Sequence, residues 1–126
     1  QKTAYEIRPR DWSSDVCSSD LALLMTTSPL LMKEADRQIF GKVEQSVRLS
    51  RYGGDCYAYC MLAAGHVDLV IETELKPYDI LPLIPIITGA GGKVTAWDGG
   101  TPTAGGRIIA AGDARTHEAA IAILNA

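Results

Sequence analysis

The chain is 126 residues long, 47 % hydrophobic and 21 % charged, the size and profile of one ordinary globular domain. A net charge of -3 leaves no basic stripe to neutralise phosphates, which argues against nucleic-acid binding. The apolar runs stop short of the roughly 20 residues of a membrane span, nothing in the opening residues suggests secretion, and three cysteines without paired spacing suit a reducing cytoplasm.

Residues 1–21, QKTAYEIRPRDWSSDVCSSDL, follow neither the helical nor the strand period. Both QKTAYEI and DWSSDVCSSDL are in-frame translations of parts of one short-read sequencing adapter. They stand in the correct order, with Arg8, Pro9 and Arg10 where the variable index lies. Residues 1–21 are therefore read as an adapter-derived leader on a gene cut at an assembly edge, disordered and outside the fold. Residues 22–126 are expected to carry the folded unit.

In chain order, residues 22–27 (ALLMTT) suit a buried strand. Ser28 and Pro29 read as a helix cap and a first-turn proline. Residues 30–47 then place Leu30, Leu31, Ala35, Ile39, Phe40 and Val43 near helical spacing, with Gly41 as a break or kink. Residues 47–52 (VRLSRY) alternate with period two and read as a strand ending at Gly53 and Gly54. Residues 55–65 (DCYAYCMLAAG) are apolar nearly all round, which predicts a buried helix stopped by Gly65. Residues 68–73 suit a buried strand. Residues 79–88 (DILPLIPIIT) suit a helix that tolerates Pro82 and is kinked by Pro85. A strand at 93–97, a turn at 98–100, a strand at 107–111 and an amphipathic helix at 113–126 complete the chain. Strand alternating with helix gives an α/β layered domain.

Asp79 sits at a strand–loop–helix junction, seven residues after Glu72 at the end of another strand. Acids gathered at strand ends beside a helix start can hold a hard cation and a phosphate together. Magnesium suits such a place because it takes one or two carboxylates plus substrate oxygens. The pattern alone leaves Asp79 as a helix cap. Cys56 and Cys60 lie at i and i+4 on one helix without further soft ligands, and read as buried packing. His66 reads as a helix-end residue and His117 as part of the polar side of the last helix. The glycine pairs at 99–100 and 105–106 belong to hairpin-like turns and not to a phosphate loop.

The stretch GGDCYAYCMLAAGHVDLVIETELKPYDILPLIPIITGAGG, residues 53–92, resembles the second signature region of the inositol monophosphatase family. Gly53 precedes a helix, Gly65 and Asp68 lead into a strand ending at Glu72, and Tyr78-Asp79, an apolar helix and Ala90-Gly91-Gly92 follow. The downstream turn, strand and final helix are similar in order, so the resemblance extends over residues 22–126. It implies the C-terminal half of the layered α/β/α/β/α sugar-phosphatase fold. Within the family, RYGGDCYAYC, VDLV and LKPYD look most like the histidinol-phosphate phosphatase branch.

The resemblance implies a magnesium-dependent hydrolase releasing phosphate from a small-molecule monoester, L-histidinol phosphate first, with an inositol or sugar phosphate as the alternative. A non-enzymatic α/β binding module stands as the alternative of another class. By resemblance, Asp79 matches an aspartate that ligates the second magnesium, and Glu72 matches an acid that contacts a substrate hydroxyl or amine. Gly53, Gly54 and Asp55 match the loop lining the substrate pocket, where Asp55 and Glu72 would face a cationic substrate. Arg51, two residues before the glycine pair, is assigned to the substrate or its phosphate, against the plainer reading of an exposed strand-end arginine. The family's first signature, with a metal-binding glutamate and a D-P-x-D-G-T-type loop, is not in this sequence. The resemblance thus implies a catalytic fragment of a homodimeric parent, inactive by itself.

Overall fold

The computed structural model describes residues 22–126, so the leader expected at residues 1–21 lies outside the described residues. One mixed sheet organises them. Its strands are β1 (Leu23–Thr26), β2 (Leu49–Tyr52), β3 (Leu69–Leu75), β4 (Lys93–Ala96) and β5 (Gly106–Ala111), in the order β2-β1-β3-β5-β4. β1 runs parallel to both β2 and β3, whereas β5 runs antiparallel to β3 and β4. The connecting helices are α1 (Glu34–Ser46), α2 (Asp55–Ala63), α3 (Pro77–Ile80), α4 (Ile84–Gly89) and α5 (Ala114–Leu124).

Period-two alternation along the central strands sends apolar side chains to both faces, so helices cover both. Leu24, Leu69, Ile71, Ile109 and Ala111 pack with Phe40 and Val43 of α1 and Ala120 and Leu124 of α5. Val70, Ile108, Ala110 and Val94 pack on the opposite face with Ala58, Tyr59 and Leu62 of α2 and Ile87 of α4. Glu72, two residues beyond Val70, is directed to this second face. The α/β layering expected from the alternation of elements is present. Among the described residues, no helix is long and apolar enough to cross a membrane.

Four local expectations are corrected. The helix expected from residue 30 starts at Glu34. Ser28 Oγ accepts the Leu30 N–H at 3.2 Å and closes only a 3-10 turn, Pro29–Leu31. The chain then runs extended through Met32 and Lys33, burying Met32 while leaving Leu30 and Leu31 exposed. Gly41 lies inside α1 and does not end it. The single helix expected over residues 79–88 is three short pieces: α3, a 3-10 turn at Leu81–Leu83, and α4. Pro82 and Pro85 have no N–H to return to the preceding turn, and their rings crowd its carbonyls.

The third correction concerns α2, which is buried on one face only, through Ala58, Tyr59 and Leu62. Cys56 and Cys60 are exposed and not packed in a core. An apolar composition does not bury a helix that has only one sheet face to meet. The fourth is His117, which points inward, 3 % exposed. Its Nε2 stands 2.8 Å from Thr95 Oγ1, and that hydroxyl donates to Ala96 O at 2.7 Å, so the imidazole is the donor to Thr95. Burial, with the Lys93 charge nearby, lowers the His117 pKa to about 4. The buried face of α5 is Thr116, His117, Ala120 and Leu124, spaced as one helical stripe.

Candidate active site

Three parallel strands, β2, β1 and β3, point their C-terminal ends to the same edge of the sheet. In sheets of this kind, ligands bind in the crevice outside the carboxyl ends of the strands. A cavity of about 510 Å³ lies there. Thr27 from the end of β1, Asp55, Cys56 and Tyr59 from α2, Glu72 to Leu75 from β3, Asp79 from α3 and Leu31 line it.

The backbone that aims these groups is unusual at several points. Gly53 has φ +90°, and its N–H donates to Thr26 O and Thr27 O at 3.1 and 2.8 Å, turning β2 sharply into α2. A Cβ at Gly54 would stand 2.8 Å from Met25 Cε and 2.9 Å from Ala58 Cβ, so only glycine lets α2 start this close to β1. Asp55 itself takes φ +47°, a left-handed conformation that aspartate tolerates better than most residues. The pairing of β3 with β5 shifts register between Glu72 and Leu75, and Glu74 has φ +59°. Such an irregularity re-aims side chains at a strand end.

Thr27 joins two of the acids. Its N–H donates to Glu72 Oε2 at 3.1 Å, and its hydroxyl donates to Asp55 Oδ1 at 3.3 Å. Glu72 is 7 % exposed. Burial raises its pKa above the ordinary carboxylate value; hydrogen bonding from Thr27 works against that rise, and the nearby Asp55 charge adds to it. Asp79 is exposed and occupies the third position of α3, not the cap position. Its Oδ2 accepts the Lys76 N–H at 2.8 Å, while its own N–H donates to Lys76 O. That bond leaves one carboxylate oxygen uncommitted. Glu74 is paired at 3.3 Å with Lys33, both largely exposed. No lysine or arginine lines the cavity, so its acids have no basic partner among the lining residues.

The structure thus brings together Asp55, Glu72 and Asp79 of the residues selected from sequence. Arg51, Gly53 and Gly54 do not line the cavity; the glycines shape its wall, and Arg51 is exposed on the edge strand β2. The lining oxygens are hard donors of the type a magnesium ion takes. Among the described residues, no three His, Cys, Asp or Glu side chains are grouped closely enough to hold a metal by themselves. Asp79 fits as a contributor to a hard-cation site, not as its whole ligand set.

The inositol monophosphatase family model matches residues 8–126. The chain belongs to the inositol monophosphatase family. Among solved structures of the fold, an inositol monophosphatase from Zymomonas mobilis superposes with a TM-score of 0.82 at 41 % identity, covering 86 % of this chain and 44 % of that one. Among curated proteins, the chloroplastic bifunctional phosphatase IMPL2 of Arabidopsis thaliana is 44 % identical over 109 residues, 79 % of this chain and 32 % of the relative. A histidinol-phosphatase of Mycobacterium tuberculosis is 31 % identical over 90 residues, 71 % of this chain and 34 % of the relative. The chain therefore spans about a third of the length of these curated relatives.

Sequence reasoning missed Thr27 and Tyr59. Thr27 was readable as the residue where a buried parallel strand ends, the place where α/β sheets carry their ligands. Tyr59 falls within the helix expected to be buried, and the strand–helix packing that places it in the cavity wall has no local sequence signal.

Proposed function

We infer that the protein to which this chain belongs is a phosphomonoesterase acting on a small cationic alcohol phosphate, with L-histidinol phosphate as the substrate. The observation that carries the reading is the acidic cavity at the strand ends, where Asp55, Glu72 and Asp79 converge without a basic partner in the lining. An ammonium- or imidazolium-bearing alcohol complements Asp55 and Glu72. The relatives named histidinol-phosphatase support the same substrate class.

The family is generally metal-dependent, and magnesium is the metal we assign. When bound, magnesium would polarise the phosphate and supply an activated water. Asp79 would give it one carboxylate oxygen while Oδ2 stays bonded to Lys76, so the ligand is held in place by the first turn of α3. Glu72 and Asp55 would orient the alcohol end, with Thr27 holding both carboxylates in register.

A second reading, an inositol phosphate as substrate, is favoured by the likeness to the Zymomonas mobilis inositol monophosphatase. Phosphate release by the full-length gene product, compared on L-histidinol phosphate and inositol 1-phosphate with and without magnesium, separates the two. Preference for the cationic ester supports the first, preference for the polyol ester the second, and turnover of neither ends both.

A further inference from the structure

Tyr59 is 2 % exposed, and its hydroxyl has no hydrogen-bond partner among the described residues. Buried phenols nearly always find one, because an unmet polar atom in the interior loses its hydration without compensation. This one lies in the wall of the acidic cavity. It stands beside the Glu72 carboxylate, close enough for a weak hydrogen-bonding interaction that raises the phenol pKa and lowers that of the acid, though the two do not meet the geometry of a full hydrogen bond. Its ring, by contrast, is fully used: it packs with Ala58, Leu62 and Val70 between α2 and the sheet. The packing holds the ring still; the residue forms part of the cavity wall, with its hydroxyl buried beside the Glu72 carboxylate.

We propose that Tyr59 is a specificity-determining residue whose hydroxyl, together with the Glu72 carboxylate, receives an N–H group from the cationic alcohol portion of the substrate. The proposal rests on the phosphomonoesterase reading above and deepens it by naming the contact that selects an amine-bearing alcohol. The chemistry is complementary in both parts. A protonated amine carries several N–H donors in a tetrahedral array. One would go to Glu72, whose charge is otherwise balanced by no lining base, and another to Tyr59 Oη as acceptor. Burial and the negative charges of Glu72 and Asp79 hold the phenol well above its ordinary pKa, so it stays a neutral hydroxyl. A neutral polyol can bond to the same oxygens but brings no charge to the carboxylate. The field of the cavity therefore rewards the cation.

The test is Tyr59→Phe in the full-length gene product. The ring remains, only an unpartnered hydroxyl is lost, and the variant should melt at or above the parental temperature. KM for L-histidinol phosphate, and the dissociation constant of L-histidinol by calorimetry, should rise about tenfold, the effect of one bond to a charged group. kcat should hold, and KM for inositol 1-phosphate should rise by a clearly smaller factor. If the parent neither binds nor hydrolyses the histidinol compounds, the functional reading falls and this inference with it. If the parent binds them and the Phe variant binds them equally well, the inference alone is overturned. Equal losses on both esters, or a lowered melting temperature without a change in discrimination, would likewise overturn it by assigning Tyr59 a structural role.

Discussion

Glu72 is held where a carboxylate is poorly solvated, and that placement separates what the residue does for stability from what it does for binding. Its folded-state pKa is raised, so the folded protein holds the proton more tightly than the unfolded chain. Stability from this group is therefore fully present below the ordinary carboxylate value and is lost as pH rises through the folded value. Glu72→Gln keeps the shape and removes the buried charge. The variant should melt higher at neutral pH than its parent, while binding of a cationic alcohol falls about 10- to 100-fold. A thermal melt across pH and a calorimetric titration with L-histidinol check both halves; a lowered melt at neutral pH would show that the charge is already balanced. Asp79 makes the opposite case, being exposed and bonded to the backbone of Lys76. In the full-length gene product, Asp79→Asn retains an acceptor for that bond, so stability should change by under about 1 kcal/mol. Loss of most activity with partial rescue by raised magnesium is expected, and a parental magnesium titration curve would end the metal-ligand assignment.

The junction between β2 and α2 is the element on which the cavity depends. Its two glycines serve different needs: Gly53 adopts φ +90°, and Gly54 lies where a methyl would meet Met25 and Ala58. Gly54→Ala should cost about 1–3 kcal/mol by overpacking, and should lower substrate affinity by tilting α2, which circular dichroism melts and KM together would register. The antiparallel side of the sheet is tied by another element contact, His117 of α5 against Thr95 of β4. With a folded pKa near 4 against an ordinary 6.5, this histidine leaves stability untouched above pH 6.5. As pH falls from 6.5 towards 4 the unfolded chain gains a proton that the folded one refuses, at a cost of roughly 3 kcal/mol by pH 4. His117→Leu should flatten that acid limb in denaturant titrations, and an unchanged slope would refute the assignment. These elements also show which parts of the fold were legible beforehand. The order of strands and helices along the chain, the Gly65 stop and the closing helix were readable because they rest on local periodicity and single-residue chemistry. The inward turn of His117, the exposure of Cys56 and Cys60 and the orphaned phenol of Tyr59 were not readable, because each depends on which helix face meets the sheet. Of the acids in the cavity, Glu72 and Asp79 stand out by position at a strand end and a helix start, Asp55 enters only through a resemblance spanning several elements, and Thr27, which links two of them, carries no motif of its own.

At the scale of the whole molecule, several large apolar side chains of the described surface are exposed. Leu30 is 78 % exposed, Leu31 67 %, Tyr57 64 % and Tyr78 74 %. Leu31 lines the cavity itself, and Tyr57 and Tyr78 adjoin Cys56 and Asp79, which also line it. Large apolar side chains exposed in this number mark surface that associates with something. The 126-residue chain alone is therefore expected to self-associate, to bind an apolar dye such as ANS, and to release no phosphate from L-histidinol phosphate. Among the described residues the carboxylates also lack the grouping that would hold magnesium without help, so calorimetry with magnesium alone should show no tight site. The association and the inactivity have separable causes, which a double variant tests. Leu30→Lys with Leu31→Gln makes two exposed positions outside any helix of the core polar without adding a carboxylate to the cavity, and should shift the chain towards monomer in sedimentation velocity. The same variant should leave the chain inactive, because solubility supplies no metal ligands. A parental chain that stays monomeric at rising concentration and excludes the dye would refute the apolar-surface argument. Phosphate release by that chain at the rate of the full-length gene product would instead show that its own carboxylates suffice.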